Sequence, residues 1–268
     1  MIDNIIYSFD RSCQLHLLLE SIEKNAENMF NINVLYKYSN EDFKHGYEIL
    51  KKNFLKFKFI EEIEFKKQTL EIINNFSNKY MCFFTDDDII YNKIKEEDID
   101  KCLYENEEIF CFSVRLGKNI STCYTLNSDN VLILLKEDEK FIWWDWTKHY
   151  ADFGYPLSVD GHIFRTKEIK KLIKAINFHN PNTLEGNLQI FDSFPKEIMV
   201  AYKASCLVNS PNNIVNKTHP NRKGETFSFN TKELNDFYLN GKIIDYNLIN
   251  FSNIKGCHQE LEFKFKKI

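Results

Sequence analysis

The sequence predicts an α/β domain with a mostly parallel central sheet flanked by helices, and three observations carry that expectation. Short β-branched or aromatic runs alternate with amphipathic stretches through the N-terminal third, the pattern of consecutive βαβ units. The 268-residue chain is 43% hydrophobic, with 24 Phe and 13 Tyr, enough to bury a substantial core. A dense apolar run, Tyr80-Met81-Cys82-Phe83-Phe84, stops abruptly at Thr85-Asp86-Asp87-Asp88, as a buried strand ending in a loop does.

The elements follow in order. Ile5 to Phe9 reads as the first strand, and Ser12 to Met29 as a helix capped by Ser12, with Leu15, Leu18, Leu19 and Ile22 on one face. Asn33 to Tyr38 is a second strand, Glu41 to Asn53 a helix, and Phe57 to Ile60 a short third strand. The spacing of Leu70, Ile73 and Phe76 predicts a helix over Phe65 to Phe76, leading into the Tyr80 strand. Beyond it come a helix over Glu96 to Glu105 and a strand over Ile109 to Val114. Phe141 to Tyr155, which holds all three tryptophans, fits neither period. Leu157 to Phe164 reads as a strand, with Lys167 to Ile176 and Leu184 to Phe191 as helices. Pro211 to Gly224 is polar and Asn-rich, a long loop expected to be mobile without ligand. Thr231 to Leu239 is a helix, so the division expected is a main domain over 1–225 and a C-terminal helical extension over 226–268 packed on it.

Composition excludes some classes. A formal net charge of -4, with Lys and Arg scattered among the acids, offers no basic face for nucleic acid. No apolar run approaches a transmembrane span, and Ile5 to Phe9 is too short for a signal-peptide core, so a cytoplasmic protein is expected. Seven cysteines without metal-ligand spacing read as reduced structural thiols.

The three consecutive carboxylates Asp86-Asp87-Asp88 repel one another, and a hard divalent cation such as Mg2+ or Mn2+ removes that cost. Ligands of open α/β sheets bind at the carboxyl ends of strands, where these residues stand. A solvated acidic turn is the alternative. Trp143, Trp144 and Trp146, with Tyr150 and Tyr155, suit either core packing or a sugar-stacking platform, with Trp146 and Tyr155 the candidates for the latter.

From Ile5 to about His219 the order of segments resembles the GT-A fold of family-two-like bacterial glycosyltransferases. The matching pieces are Ile5-Ile6-Tyr7-Ser8-Phe9-Asp10-Arg11, the helix and strand before Thr85-Asp86-Asp87-Asp88, and Asp160-Gly161-His162-Ile163-Phe164-Arg165-Thr166 followed by a helix. Phe112 to Gly117 and Gly154 to Ser158 add to the resemblance. It implies a metal-dependent enzyme that moves a sugar from a nucleotide-sugar, most simply UDP-linked, to a glycan or lipid-linked acceptor. It implies that Asp88 ligates Mn2+ or Mg2+, that Asp86, with Asp87 beside it, meets the ribose or donor sugar and shares the metal, and that His219 completes the metal shell. Ser8, Asp10 and Arg11 are implied at the base and ribose, with Lys67 at the base or pyrophosphate. Arg222 and Lys223 are expected at the diphosphate, on a loop that closes over the donor. Ser39-Asn40 stands where the family usually carries an Asp pair. Inverting members place a carboxylate base near a helix start downstream, which makes Glu185 the first choice and Asp160 the second. A nucleotidyltransferase, which usually carries a Gly-rich loop after strand one, and a non-catalytic glycan-binding protein are the competing readings.

Overall fold

The computed structural model describes residues 1–191, 195–215 and 222–267. Its elements in order are β1 (Ile2–Phe9), α1 (Ser12–Asn25), β2 (Phe30–Lys37), α2 (Glu41–Asn53), β3 (Lys58–Glu61), α3 (Phe65–Asn74), β4 (Tyr80–Thr85), β5 (Asp88–Ile90), α4 (Glu96–Tyr104) and β6 (Ile109–Ser113). Next come β7 (Thr122–Cys123), β8 (Ser128–Asp129), β9 (Lys136–Glu137), β10 (Phe141–Asp145), β11 (His162–Arg165), α5 (Thr166–Ala175) and α6 (Pro181–Leu188). The chain closes with β12 (Ile198–Tyr202), β13 (Leu207–Asn209), α7 (Thr231–Leu239), β14 (Lys242–Ile244) and β15 (Phe265–Lys267).

One nine-stranded sheet, ordered β3-β2-β1-β4-β11-β6-β12-β10-β9, organises the molecule. From β3 to β4 neighbours are parallel, and β6 and β12 are parallel to each other. Only β11 and β10 run against the common direction. β1 is buried along almost its whole length, as a central strand covered on both faces must be. All seven cysteines are buried and free.

Two sequence expectations change at their edges. The first residue of α1 is Ser12, and the cap position is Arg11, whose side chain makes no capping bond. The strand expected from Leu157 shrinks to four residues, because 157–161 form the turn that carries Asp160 and Gly161, the latter at φ +72°. That backbone region is open to glycine and strained for other residues.

The tryptophan segment resolves into β10 followed by two short helical turns. Trp144 is fully buried and donates its indole N–H to the Phe153 carbonyl, and Trp146 donates to the Lys196 carbonyl. Both are core residues with a satisfied polar edge.

Among the described residues past 226 there is one α-helix, α7, which packs on α1 and α2. The alternation of Phe263 and Phe265 is strand periodicity, and β15 pairs with β14. Between them a long excursion returns to β13, which pairs with β5 apart from the large sheet, and there Asn209 N donates to the Cys257 carbonyl at 2.8 Å and Gln259 N to the Asn209 carbonyl at 2.9 Å. Among the described residues no helix is long and apolar enough to cross a membrane.

The α1, α2 and α7 junction is tight enough to test. A Cβ on Gly46 would meet Ser12 Oγ at 2.3 Å and Asn235 Oδ1 at 2.4 Å. Gly46→Ala is therefore expected to lower stability by about 1–3 kcal/mol, despite alanine's better helix propensity, as a shift of the urea unfolding midpoint. At the same junction His16 shares a hydrogen bond of 3.0 Å with the Tyr238 hydroxyl, and burial lowers its ring from 6.5 to about 4, with Lys266 adding to the effect. The unfolded chain then binds a proton that the folded one refuses. Stability should fall as pH drops from about 6.5 towards about 4, and His16→Gln should flatten that slope in unfolding curves taken across the window.

Candidate active site

The carboxyl ends of β1 and β4 open into a cavity of about 630 Å³. Ser8 and Phe9 line it from β1 and Arg11 from the cap of α1, Thr85 from β4 and Asp86 and Asp87 from the turn after it, and Asp160 from the turn before β11. Because β11 runs antiparallel to β4, its start lies beside the end of β4, which is how residues 75 positions apart meet. Glu185 enters from α6 and His258 from the C-terminal excursion.

Arg11 organises the acidic turn. Its Nη1 lies 3.0 Å from Asp86 Oδ1 and 2.8 Å from Asp87 Oδ2, while Nε and Nη2 donate to the side-chain and backbone oxygens of Asn213 at 2.7 Å each. Four partners leave its orientation no freedom, and the side chain is 7% exposed. Asp86 also accepts from Phe9 N at 2.9 Å, so both its oxygens are engaged. Burial pushes the Asp86 carboxyl up to about 6, even against the Arg11 charge.

Asp88 sits behind this layer, fully buried and off the cavity wall. It accepts from Thr85 N at 2.9 Å and from Asn209 Nδ2 at 3.1 Å; the same amide reaches Asp87 Oδ1 at 2.8 Å. Burial first, then Asp160 and Asp87, push the Asp88 carboxyl well above the usual range. Asp160 is held the other way. Burial raises it, but the His258 contact, Arg115 and the Thr85 hydroxyl outweigh that, and its carboxyl lies below the ordinary value. Thr85 Oγ1 donates to Asp160 at 2.9 Å, and Arg115 Nη1 and His258 Nε2 each stand 3.6 Å from its other oxygen. In this pair the neighbours favour the charged form of Asp160, and burial disfavours that of Asp88.

Glu185 belongs to α6, whose start is set by Pro181 at the first helical position and by a reciprocal bond between the Asn180 and Thr183 side chains and backbones. The helix begins three residues before the predicted start, which moves Glu185 out of the first turn. Its Oε1 accepts from Val159 N at 3.1 Å, and burial, with Asp160 nearby, raises its carboxyl.

Of the residues singled out from sequence, Ser8, Arg11, Asp86, Asp87, Asp160, Glu185 and Arg222 line this one cavity. Asp10 does not. At φ +56°, it turns the chain and accepts from Ser39 N at 2.8 Å, holding the loop after β2. Lys67 is exposed outside the cavity and pairs with Glu64, and neither Trp146 nor Tyr155 reaches the wall. Arg222 pairs with Glu225 and lies over the Tyr124 ring. His219, with the rest of 216–221 in the loop expected to close over the donor, lies outside the described residues.

Sequence reading missed Asn209, Asn213, Arg115 and His258. An arginine two residues past the buried strand Ile109–Ser113 was a usable signal for Arg115. Nothing local marked His258, which reaches the site only because its excursion is pinned to β13.

Among the described residues no three His, Cys, Asp or Glu side chains form a complete metal set. The donors nonetheless suit a hard cation. Asp87 and Asp88 bring carboxyl oxygens together beside Asp160, and that like charge adds to burial in raising Asp88. Each bonded oxygen keeps a second lone pair.

No protein-family model matches the chain. It is 29% identical over 212 residues to the bifunctional glycosyltransferase pgtA of Dictyostelium discoideum, a match covering 68% of this chain and 27% of that protein. The chain thus spans about a quarter of the length of that curated relative. In fold it is similar to S. aureus TarS residues 1–349 solved in complex with UDP, at a TM-score of 0.50 and 16% identity, over 79% of this chain and 62% of that one. The fold is GT-A.

The Arg11 clamp generates a prediction. Arg11→Met leaves Asp86 buried without its counter-charge and is expected to cost about 3–5 kcal/mol in chemical denaturation. Adding Asp86→Asn should recover part of that loss, because one of the two carboxylates left without Arg11 is then neutral.

Proposed function

We propose that this cleft binds a nucleotide-linked sugar, UDP-linked in the first instance, and transfers the sugar to an acceptor hydroxyl. The observation that supports this best is the meeting, in one cavity at the strand ends, of an Arg11-clamped acidic turn with two separate carboxyls, Asp160 and Glu185. The relative carrying the name of a glycosyltransferase and the fold neighbour solved with UDP point the same way.

Tyr7, Lys37, Glu62 and Phe65 line one part of the cavity and supply an aromatic and polar setting for the base. Asp86, held by Arg11 and Phe9 N, presents a fixed carboxyl to the ribose or donor sugar. Asp87 and Asp88 are the residues that would hold Mn2+ or Mg2+, and the ion when bound offsets charge on the diphosphate. Arg222 adds a cation at the same wall.

Glu185 is the proposed base. Its raised carboxyl lies closer to neutral pH than an exposed glutamate, and proton transfer is most efficient when the two are matched. As the acceptor oxygen forms its bond to the anomeric carbon, its proton passes to Glu185 and the bond to the diphosphate breaks. The diphosphate departs with that electron pair, and a single displacement of this kind inverts the anomeric centre. Asp160, ionised and paired with Arg115 and His258, contributes fixed negative charge beside the reacting carbon.

Glu185→Gln is expected to keep UDP affinity within about threefold in calorimetric titration while lowering kcat for sugar transfer by about 10²–10⁴-fold. Full turnover in Glu185→Gln together with loss in Asp160→Asn reassigns the base to Asp160. A wild-type protein that fails to bind UDP with or without Mn2+ removes the donor assignment.

A further inference from the structure

Beside the main cleft lies a second cavity, of about 540 Å³, and Tyr124, Arg222 and His258 line both. These shared residues form a braced partition. Arg222 lies over the Tyr124 ring at 4.6 Å and donates to the Tyr124 carbonyl at 2.7 Å, and the Tyr124 hydroxyl donates to Glu260. Glu260 is held in turn by the backbone N–H groups of Glu225, Thr226 and Phe227, and these bonds, with the Tyr124 hydroxyl, outweigh burial and keep its carboxyl below the ordinary range. A wall assembled with this many charge-assisted bonds is fixed rather than adaptable.

The chemistry of the second cavity differs from that of the first. Its charged wall residues are Asp129, Glu225 and Glu260 against Arg222, so negative charge predominates. Arg222 is already committed to Glu225, while Asp129 has no ion pair among the described residues. Carboxylates accept from sugar hydroxyls and repel phosphate or carboxylate groups. His258, at the boundary, stands 3.6 Å from Asp160. Through these shared residues the second cavity adjoins the one that Asp160 and Glu185 line.

We propose that the second cavity is the acceptor site and that it takes a neutral saccharide rather than a phosphate-bearing or uronic-acid chain. The assignment rests on the donor reading above. The two are separable because Thr226 and Asp129 line only the second cavity.

The test is binding to an array of neutral and anionic oligosaccharides in the presence of UDP and Mn2+, with UDP affinity measured separately by calorimetry. Wild type is expected to retain neutral saccharides. Thr226→Trp, which fills the second cavity from an exposed position, should lose that retention at least tenfold with UDP affinity within twofold of wild type. Asp129→Lys, at an exposed site that tolerates charge, should shift retention towards anionic saccharides, and it serves if the tryptophan variant does not fold. Retention of mainly anionic saccharides by wild type, retention of none, or undiminished binding by a folded Thr226→Trp each overturns the acceptor assignment. The UDP titration reports independently whether the donor reading stands: wild-type UDP binding alongside any of these leaves it intact, and absent UDP binding overturns both.

Discussion

The Arg11 guanidinium is the constraint on which the rest of the site depends. Three consecutive aspartates and Asp160 converge at the end of β4, where burial makes every unpaired charge expensive. One buried arginine bridges Asp86 and Asp87 and is itself fixed by both oxygens of Asn213. Asn213 is held by Gln14 of α1, so the clamp ties the first βα unit to the segment after β13. The acidic turn thus has one geometry. A site fixed in this way is pre-organised for the charged donor proposed above.

Charge then divides unevenly over the remaining acids, and the division follows from neighbours rather than residue type. Asp160 has Arg115, His258 and the Thr85 hydroxyl around it and stays ionised. Asp88, a few residues from the same cluster, has only an amide and a backbone N–H and is pushed towards the neutral form. Glu185 takes an intermediate course: burial and the negative Asp160 raise it while the Val159 N–H steadies the anion. Environments that separate like groups in this way are what acid and base roles require. They also describe a site short of positive charge.

Topology explains why these groups meet. The parallel β3-β2-β1-β4 half delivers the ends of β1 and β4 to one edge of the sheet, and antiparallel β11 brings the preceding turn to the same edge. The C-terminal excursion is pinned to β13 and to Thr122, and it carries His258 and Glu260 to the partition between the two cavities. The segment past 226 is therefore part of the site's wall as well as a covering for α1 and α2. That double role follows from its backbone bonds to Asn209, whose side chain is itself bonded to Asp87 and Asp88.

Local pattern carried much of this. The strand and helix order of the N-terminal half followed from periodicity, because each element there buries a regular face against neighbours close in sequence. The acidic turn stood out because like charges after a buried run are costly wherever the chain goes. Ser8, Arg11, Asp86, Asp87, Asp160, Glu185 and Arg222 were legible for that reason or by resemblance of short motifs. Lys67 and Asp10 show the limit: motif position does not say which way a side chain faces, and φ +56° at Asp10 turns it to the Ser39 amide. Trp144 and Trp146 went to the core because their indole N–H groups found carbonyls there, a fact of packing. His258, Asn209 and Asn213 depended on long-range pairing, since a polar residue in a loop has no period of its own and acquires a role only when the fold sets it against a distant strand end. The direction of each carboxyl's titration arose the same way, from desolvation and neighbours that come together only once the sheet has closed.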